Sequence, residues 1–257
     1  MILRFYKYQG TGNDFVLLDQ REGIFELSQD QIAYICNRRF GIGADGLMYL
    51  RKHETYDFEM IYFNSDGRES SMCGNGGRAI ARFAEDLKIA ENNLTFQATD
   101  GPHEAWLKTD IIELKMSDVS NICLKQNDYI LDTGSPHYII FSTNIQEMDL
   151  NKIAHDIRYS KTYMPDGINV NLVEELSEGK LSIRTYERGV EAETLSCGTG
   201  VTAAALSYSL KKSWFKKVDI ETKGGLLSVK FNRKEHGFND IRLNGPASFV
   251  FKGEIQI

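Results

Sequence analysis

The chain has 257 residues, 42% of them apolar, and a formal charge of −6. That length holds one large domain or two small ones, and that apolar share sustains a buried core and excludes a disordered chain. An acidic balance with no basic tract excludes a general nucleic-acid role, and the apolar stretches fall far short of the ~20 residues of a membrane helix.

The N-terminal run Met1-Ile-Leu-Arg-Phe-Tyr-Lys has no signal-peptide core, so cytoplasmic residence is the expectation and neither nucleic acid nor membrane is an expected partner. The four cysteines, Cys36, Cys73, Cys123 and Cys197, show no close pairing and are expected as thiols in a reducing compartment.

In chain order, residues 2–8, 15–19, 46–51 and 56–63 are short β-branched or aromatic runs and predict strands. Residues 29–39 predict a helix, opened by Ser28 with Gln31 three positions later, a capping-box pattern. Residues 75–88 predict a second helix, with Ile80, Phe83, Ala84 and Leu87 at helical spacing. A polar stretch at 117–128 reads as a seam. Beyond it, strands are expected at 128–132, 137–142, 168–174 and 180–186, and helices near 149–157 and 199–212. Strands near 217–222, 226–232, 240–243 and 248–252 end the chain. Strands and helices without regular βαβ alternation predict an α+β fold.

The chain repeats itself. Cys73 and Cys197, Tyr62 and Tyr186, and Glu69 and Glu193 all share an offset of 124; Thr11-Gly12 matches Thr133-Gly134 at 122, and Asp45-Gly46 matches Asp166-Gly167 at 121. Ordered stations at a nearly constant offset predict an internal duplication. The expected domains are residues 1–117, carrying Cys73, and residues 118–248, carrying Cys197.

Each cysteine falls between a strand and the glycine-rich start of a helix: Ser71-Met-Cys73-Gly-Asn-Gly-Gly and Leu195-Ser-Cys197-Gly-Thr-Gly. A helix N-terminus leaves backbone N–H groups unpaired and carries partial positive charge, so it stabilises a thiolate and binds carboxylates. Bare glycines let a ligand approach those N–H groups closely. Two such thiols, one per half and sharing a cleft, suit the transfer of a proton away from one face of a carbon and back onto the other. Thiols tune to working pH, where acid–base catalysis is most effective, and preorganised N–H donors steady the developing carbanion. A small buried core role is disfavoured by the flanking glycines; a reversible redox pair stays open as the competitor. Cys36 and Cys123 read as structural. His53, His103, His137, His155 and His236 show no ligand spacing, so no metal is expected. Gly41-Ile-Gly-Ala-Asp-Gly46 fits G-x-G-x-x-G but follows a helix, so it reads as a tight turn. No motif for a cofactor is present, and none is expected.

Gly10-Thr-Gly-Asn13-Asp-Phe15, Cys73-Gly-Asn-Gly76, and Glu187-Arg-Gly189 with Cys197-Gly-Thr-Gly200 together resemble the diaminopimelate epimerase family, in order along essentially the whole chain. The cysteine blocks alone are shared with proline racemases and phenazine-type isomerases. The resemblance implies a cofactor-independent epimerase of LL- and meso-2,6-diaminopimelate, serving lysine and peptidoglycan synthesis. It implies two similar domains related by a pseudo-twofold with the active site between them, residues 249–257 returning to the first, and a homodimer. By motif, Cys73 and Cys197 resemble the acid/base thiols. Gly74, Asn75, Gly198 and Thr199 would present N–H groups to the reacting carboxylate. Asn13, Asn64, Asn169 and Arg188 would hold the distal end; Glu187 would meet the amine and, with His137, tune the thiols. Two positions depart from the family pattern: Ser135 stands where many members have Asn, and Gly46 where many have Gln. A proline- or hydroxyproline-type racemase of the same fold is the near alternative, and a thiol–disulfide protein the distant one.

Overall fold

Alternating apolar and polar residues at the start of the chain build the first strand of a computed structural model that describes residues 1–212 and 215–257. The chain divides into two units, Met1–Leu114 with Gly245–Ile257, and Lys115–Asn244.

In the first unit, β1 (Ile2–Gly10) turns at Thr11-Gly12 into the antiparallel β2 (Asn13–Asp19). Both turn residues have positive φ, 50° at Thr11 and 85° at Gly12, which matches the twist of a two-residue hairpin. Helix α1 (Gln29–Cys36) opens on the Ser28/Gln31 capping box and carries the chain to β3 (Gly46–Arg51), parallel to β2. It ends three residues before the sequence expectation: Asn37 leaves the helical region and its side chain accepts from the N–H groups of Arg39 and Phe40, a local turn that competes with helix. Gly41–Gly46 is the tight turn after it, with Gly43 at φ 80°. β4 (Phe58–Asn64) pairs antiparallel with β3 and carries the short β5 (Glu69–Ser70). Helix α2 (Gly74–Asp86) then crosses to β6 (Asn93–Ala98), parallel to β4, followed by the antiparallel β7 (Gly101–Leu107) and β8 (Ile112–Lys115).

The second unit repeats this plan. β9 (Ile122–Lys125) lies antiparallel to β10 (Asp128–Asp132), so the polar seam expected at 117–128 contains a strand, fixed by pairing rather than by its own composition. β11 (Pro136–Phe141) is antiparallel to β10; α3 (Leu150–Arg158) crosses to β12 (Asn169–Ser177), parallel to β11. β13 (Lys180–Glu187) carries the short β14 (Ala192–Thr194), and α4 (Gly198–Lys212) crosses to β15 (Lys217–Thr222), parallel to β13. β16 (Gly225–Lys234) and β17 (Gly237–Gly245) follow as an antiparallel meander. The last strand, β18 (Ser248–Gln256), belongs to the first unit and pairs antiparallel with β1.

The strand order is therefore β18-β1-β2-β3-β4-β6-β7-β8 in one unit and β9-β10-β11-β12-β13-β15-β16-β17 in the other, one α+β plan used twice. Helices cover both sheet faces, so central strands are apolar without a break: Phe15, Val16, Leu17 and Leu18 are all buried. Val16 and Leu18 join the α1 core with Ile32, Ile35 and Leu47; Tyr8 packs on Phe83 of α2. In the second unit Leu150 and Ala154 of α3 meet Val170 and Leu172. Burying each large apolar side chain contributes about 1.5–3 kcal/mol. No helix among the described residues is long and apolar enough to cross a membrane.

Candidate active site

Cys73 is the N-cap of α2. Its backbone is extended, its carbonyl accepts from Gly77 N at 2.8 Å, and its Sγ accepts from Gly76 N at 3.2 Å. The thiol thus takes the place a Ser or Asp oxygen usually holds at a helix start. A Cβ at Gly76 would lie 2.7 Å from Met48 Cε and 3.1 Å from the Cys73 sulfur. Gly74 and Asn75, both buried, are the first two residues of the helix. The Asn75 Oδ1 accepts from Arg78 at 2.9 Å and from the Thr11 hydroxyl at 3.3 Å.

Asn13 follows the Thr11-Gly12 turn. Its Nδ2 donates to Asp45 at 3.1 Å, while its buried Oδ1 has no protein partner. The turn is braced by charge: Arg38 bridges Asp14 and Asp45, each at 2.7 Å, and the buried Lys7 pairs with Asp14 at 2.8 Å. Burial alone would raise the Asp14 carboxyl, but hydrogen bonds from Arg38 and Lys7 outweigh it and hold it at about 2. Asp45 is pushed up, chiefly by burial with the Asp14 charge adding to it. Asn64 ends β4, exposed, directly across from Gly46.

In the second unit Cys197 immediately precedes α4, and its carbonyl accepts from Val201 N at 2.9 Å. Its sulfur lies 3.3 Å from the Thr199 hydroxyl, and that hydroxyl lies 2.9 Å from His137 Nε2. The other ring nitrogen lies 3.1 Å from Asn171 Nδ2. Asn171 donates from the same Nδ2 to the Tyr138 carbonyl and accepts from Thr185 on Oδ1, which fixes its amide. His137 Nδ1 is therefore an acceptor, Nε2 carries the proton, and the hydroxyl is left to donate toward sulfur, an assignment made from the network. Complete burial lowers the His137 imidazole to about 3, with the Arg188 charge lowering it further. It is neutral near pH 7 and reaches Cys197 only through Thr199.

Asn169 opens β12, in register with His137. Its amide donates to Ser135 Oγ at 2.8 Å and to the Pro136 carbonyl at 3.0 Å, and its Oδ1 accepts from Arg188 N at 2.8 Å. Ser135, one of the two departures, thus holds Asn169. Glu187 ends β13 and Arg188 follows it, both at intermediate exposure. The loop beyond them is clamped by Glu191, which takes Arg158 at 2.9 Å, the Tyr159 hydroxyl at 2.8 Å and Gly189 N at 3.1 Å. Burial would raise Glu191, but these bonds hold it at about 2. Cys36, the buried last residue of α1, is pushed up to about 12 by burial, and Cys123 is exposed.

Within the first unit Cys73, Gly74 and Asn75 come together with the Thr11-Gly12 turn; within the second, Cys197, Gly198, Thr199, His137 and Asn169 do. Sequence reasoning misses Arg78, Asn171, Thr133 and the Arg158–Glu191 clamp. Thr133, whose hydroxyl donates to the Thr199 carbonyl at 2.8 Å, is signalled by its repeat partner Thr11.

One α+β unit used twice, with a cysteine immediately before the equivalent helix in each copy, defines a class of duplicated proteins with a thiol at a helix start in each half. Solved structures share the fold over the whole chain: a phenazine biosynthesis protein of the PhzF family from Bacillus anthracis (TM-score 0.78, 15% identity, 100% of both chains) and a hydroxyproline epimerase from Agrobacterium vitis (TM-score 0.70, 12% identity, 99% of this chain and 92% of that one). Sequence narrows the class. The diaminopimelate epimerase family model matches residues 5–121 and 129–250. A diaminopimelate epimerase of Flavobacterium psychrophilum is 47% identical over 98% of this chain and 100% of its own, and one of Chlorobaculum tepidum is 42% identical over 96% and 99%. The chain belongs to the diaminopimelate epimerase family.

Proposed function

We propose that this chain interconverts LL- and meso-2,6-diaminopimelate, with Cys73 and Cys197 working on one α-carbon from opposite sides. The observation that carries the reading is the cysteine immediately before the equivalent helix in both copies of the unit, together with full-length similarity to diaminopimelate epimerases. One sulfur, as thiolate, takes the α-proton; the C–H electron pair passes to the α-carbon and its carboxylate. The other sulfur, as thiol, delivers its proton to the opposite face, so the two exchange protonation states in each turnover. The first N–H groups of α2 and α4, at Gly74, Asn75, Gly198 and Thr199, receive the reacting carboxylate, where the carbanion's charge accumulates.

The distal end meets Asn13, Asn64, Asn169 and Arg188, and Glu187 takes an ammonium. Support comes from the Asn13 Oδ1, a buried acceptor with no protein donor; such an atom is costly unless a ligand satisfies it. Arg188 suits a carboxylate, which a guanidinium grips through two parallel bonds. No residue in this account requires a cofactor. The reading extends to a cytoplasmic homodimer supplying lysine and peptidoglycan precursors, with sedimentation the check on its assembly.

The test is incubation with LL-diaminopimelate in D2O. Meso product bearing α-deuterium is expected, with no turnover of proline or hydroxyproline. Cys73→Ala and Cys197→Ala should each abolish epimerisation; full activity in either sinks the two-thiol reading. A reversible disulfide at physiological potentials without any epimerisation favours the redox alternative.

A further inference from the structure

Arg78 lies in the helix that Cys73 caps and is completely buried. Its side chain runs back toward the helix N-terminus, as long helical side chains do. NH1 donates to the Gly74 carbonyl at 3.0 Å, NH2 to Asn75 Oδ1 at 2.9 Å and to Thr11 Oγ1 at 3.1 Å, and Nε to the Pro246 carbonyl at 3.4 Å. Every one of these acceptors is neutral, and among the described residues no carboxylate pairs with it. A buried guanidinium without a counter-charge costs several kcal/mol. The fold does not demand it: at the equivalent position of α4 stands Thr202, equally buried, whose hydroxyl returns to the Gly198 carbonyl at 2.9 Å.

Acidic groups on the elements around α2 are mostly engaged elsewhere. Asp86 takes the Tyr8 hydroxyl, Glu85 takes Arg82, Asp14 takes Lys7 and Arg38, Asp19 takes Arg21, Glu254 takes Arg4, and Glu69 takes Thr99. On β7, Glu104 is exposed, while His103 stacks on Phe96 and bonds Asp100. Asp100 also accepts from Met72 N, beside Cys73, and works against an anion there. The ionisable partner that Arg78 does feel is the Cys73 sulfur; burial brings the guanidinium down to about 10 and the Cys73 charge opposes that fall, so it stays cationic near neutral pH.

We propose that Arg78 is a positioning residue that acts in two ways. Its fixed charge makes Cys73, rather than Cys197, the thiolate of the resting protein, and its NH2 group holds the Asn75 carbonyl so that the Asn75 amide turns its N–H side to the substrate carboxylate. The hydrogen-bonded network of the second thiol runs instead to the neutral His137. The strained backbone of Thr11 serves the same end, placing its hydroxyl between Arg78 and Asn75. This inference rests on the two-thiol reading for its meaning but not for its test, which needs no turnover.

The experiment is iodoacetamide alkylation against pH, mapped to each cysteine by mass spectrometry, in the unsubstituted protein, Arg78→Met and Arg78→Lys. Cys36 and Cys123 serve as internal controls. In the unsubstituted protein Cys73 should ionise below Cys197. In Arg78→Met the Cys73 profile should rise by about one pH unit or more, about tenfold slower alkylation on its rising limb, with Cys197 unmoved. Arg78→Lys should restore most of the Cys73 profile but leave KM raised, because an ammonium lacks the fork that holds Thr11 and Asn75 together. A folded Arg78→Met with an unmoved Cys73 profile overturns the proposal. Cys197 ionising below Cys73 in the unsubstituted protein overturns it too, whether or not any variant folds.

Discussion

Thr199→Val isolates the second thiol's network. Valine keeps the shape and replaces the hydroxyl, which lies 3.3 Å from Cys197 Sγ and 2.9 Å from His137 Nε2, with a methyl group. Two losses follow, and they read out separately. A hydrogen bond to a charged group is worth about 1.5–3 kcal/mol, so the Cys197 thiolate loses that much relative to its thiol and its ionisation moves up by about 1–2 pH units. The same interaction is needed whenever Cys197 acts as base, so kcat/KM falls about 10–100-fold. It falls equally in both directions, because the overall equilibrium between the isomers is fixed. Separately, the fully buried His137 keeps a proton on Nε2 with no hydroxyl to receive it, which costs about 1–3 kcal/mol of folding stability. Thiol-specific alkylation against pH reads the change in ionisation, turnover reads its catalytic consequence, and urea denaturation reads the loss of stability. Thr199→Ser restores the hydroxyl and should restore all three. A folded Thr199→Val whose Cys197 titrates where it does in the parent protein would refute the relay.

His137 itself makes stability depend on pH. Its ordinary value is 6.5 and burial lowers it to about 3 in the folded protein, so below 6.5 the unfolded chain takes up a proton that the folded chain refuses. The stability it contributes is whole above that value and falls by about 1.4 kcal/mol per pH unit as the pH drops toward the folded value; denaturant midpoints measured across this window should lose that slope in His137→Gln, and an identical slope would contradict the assignment. Gly76→Ala places a Cβ against Met48 Cε and the Cys73 sulfur. The methionine end can move aside, and alanine gains about 1 kcal/mol of helix propensity over glycine, so thermal stability should change little while activity falls at least about tenfold as the N–H···S bond is pushed open; an active, stable Gly76→Ala would show that this bond does not position the thiol.

Much of this architecture is legible because local chemistry and tertiary context agree. The runs at Gly46–Arg51, Asp128–Asp132 and Lys217–Thr222 are strands with the expected limits. Glycines after each cysteine mark a helix start that the backbone N–H groups confirm. The stretch Asn93–Lys115 escapes a reading by pattern, although it makes β6, β7 and β8. Leu94, Phe96 and Ala98 do alternate inward, but β7 begins Gly-Pro-His-Glu, poor strand formers held in place by the hairpin with β6. Contacts in the site are harder still. His137 and Thr199 stand 62 residues apart and meet only through the parallel pairing of β11 with β12 and the packing of α4 on β11. Arg78 reads as a surface residue from its type alone. Its signal is its setting among Gly76, Gly77, Ala79 and Ala81, small residues that leave a helix no solvent-facing side there.

The repeat conserves scaffold and varies charge, and that difference has a use. Phe15 and His137 hold equivalent positions at the starts of β2 and β11, Asn75 and Thr199 follow the two caps, and Arg78 answers to Thr202. Had duplication kept both thiols in identical surroundings, they would ionise together. If the two did not also repel each other, at most about half the molecules would then hold the one-proton form that two-sided transfer requires, the rest being fully protonated or fully ionised. Splitting the two by about two pH units raises that share to about four-fifths midway between them. On the proposed mechanism the difference need not bias the chemistry toward either isomer, because the sulfurs would trade states in every turnover and the isomers' equilibrium is not the protein's to set. In the two-thiol reading proposed above, what it fixes is the starting state: one proton between the two thiols, held on Cys197 while Arg78 keeps Cys73 bare. A protein in which Arg78 and Thr202 were exchanged should therefore rest with the proton on the other sulfur, and alkylation should find Cys197 the more reactive thiol at low pH.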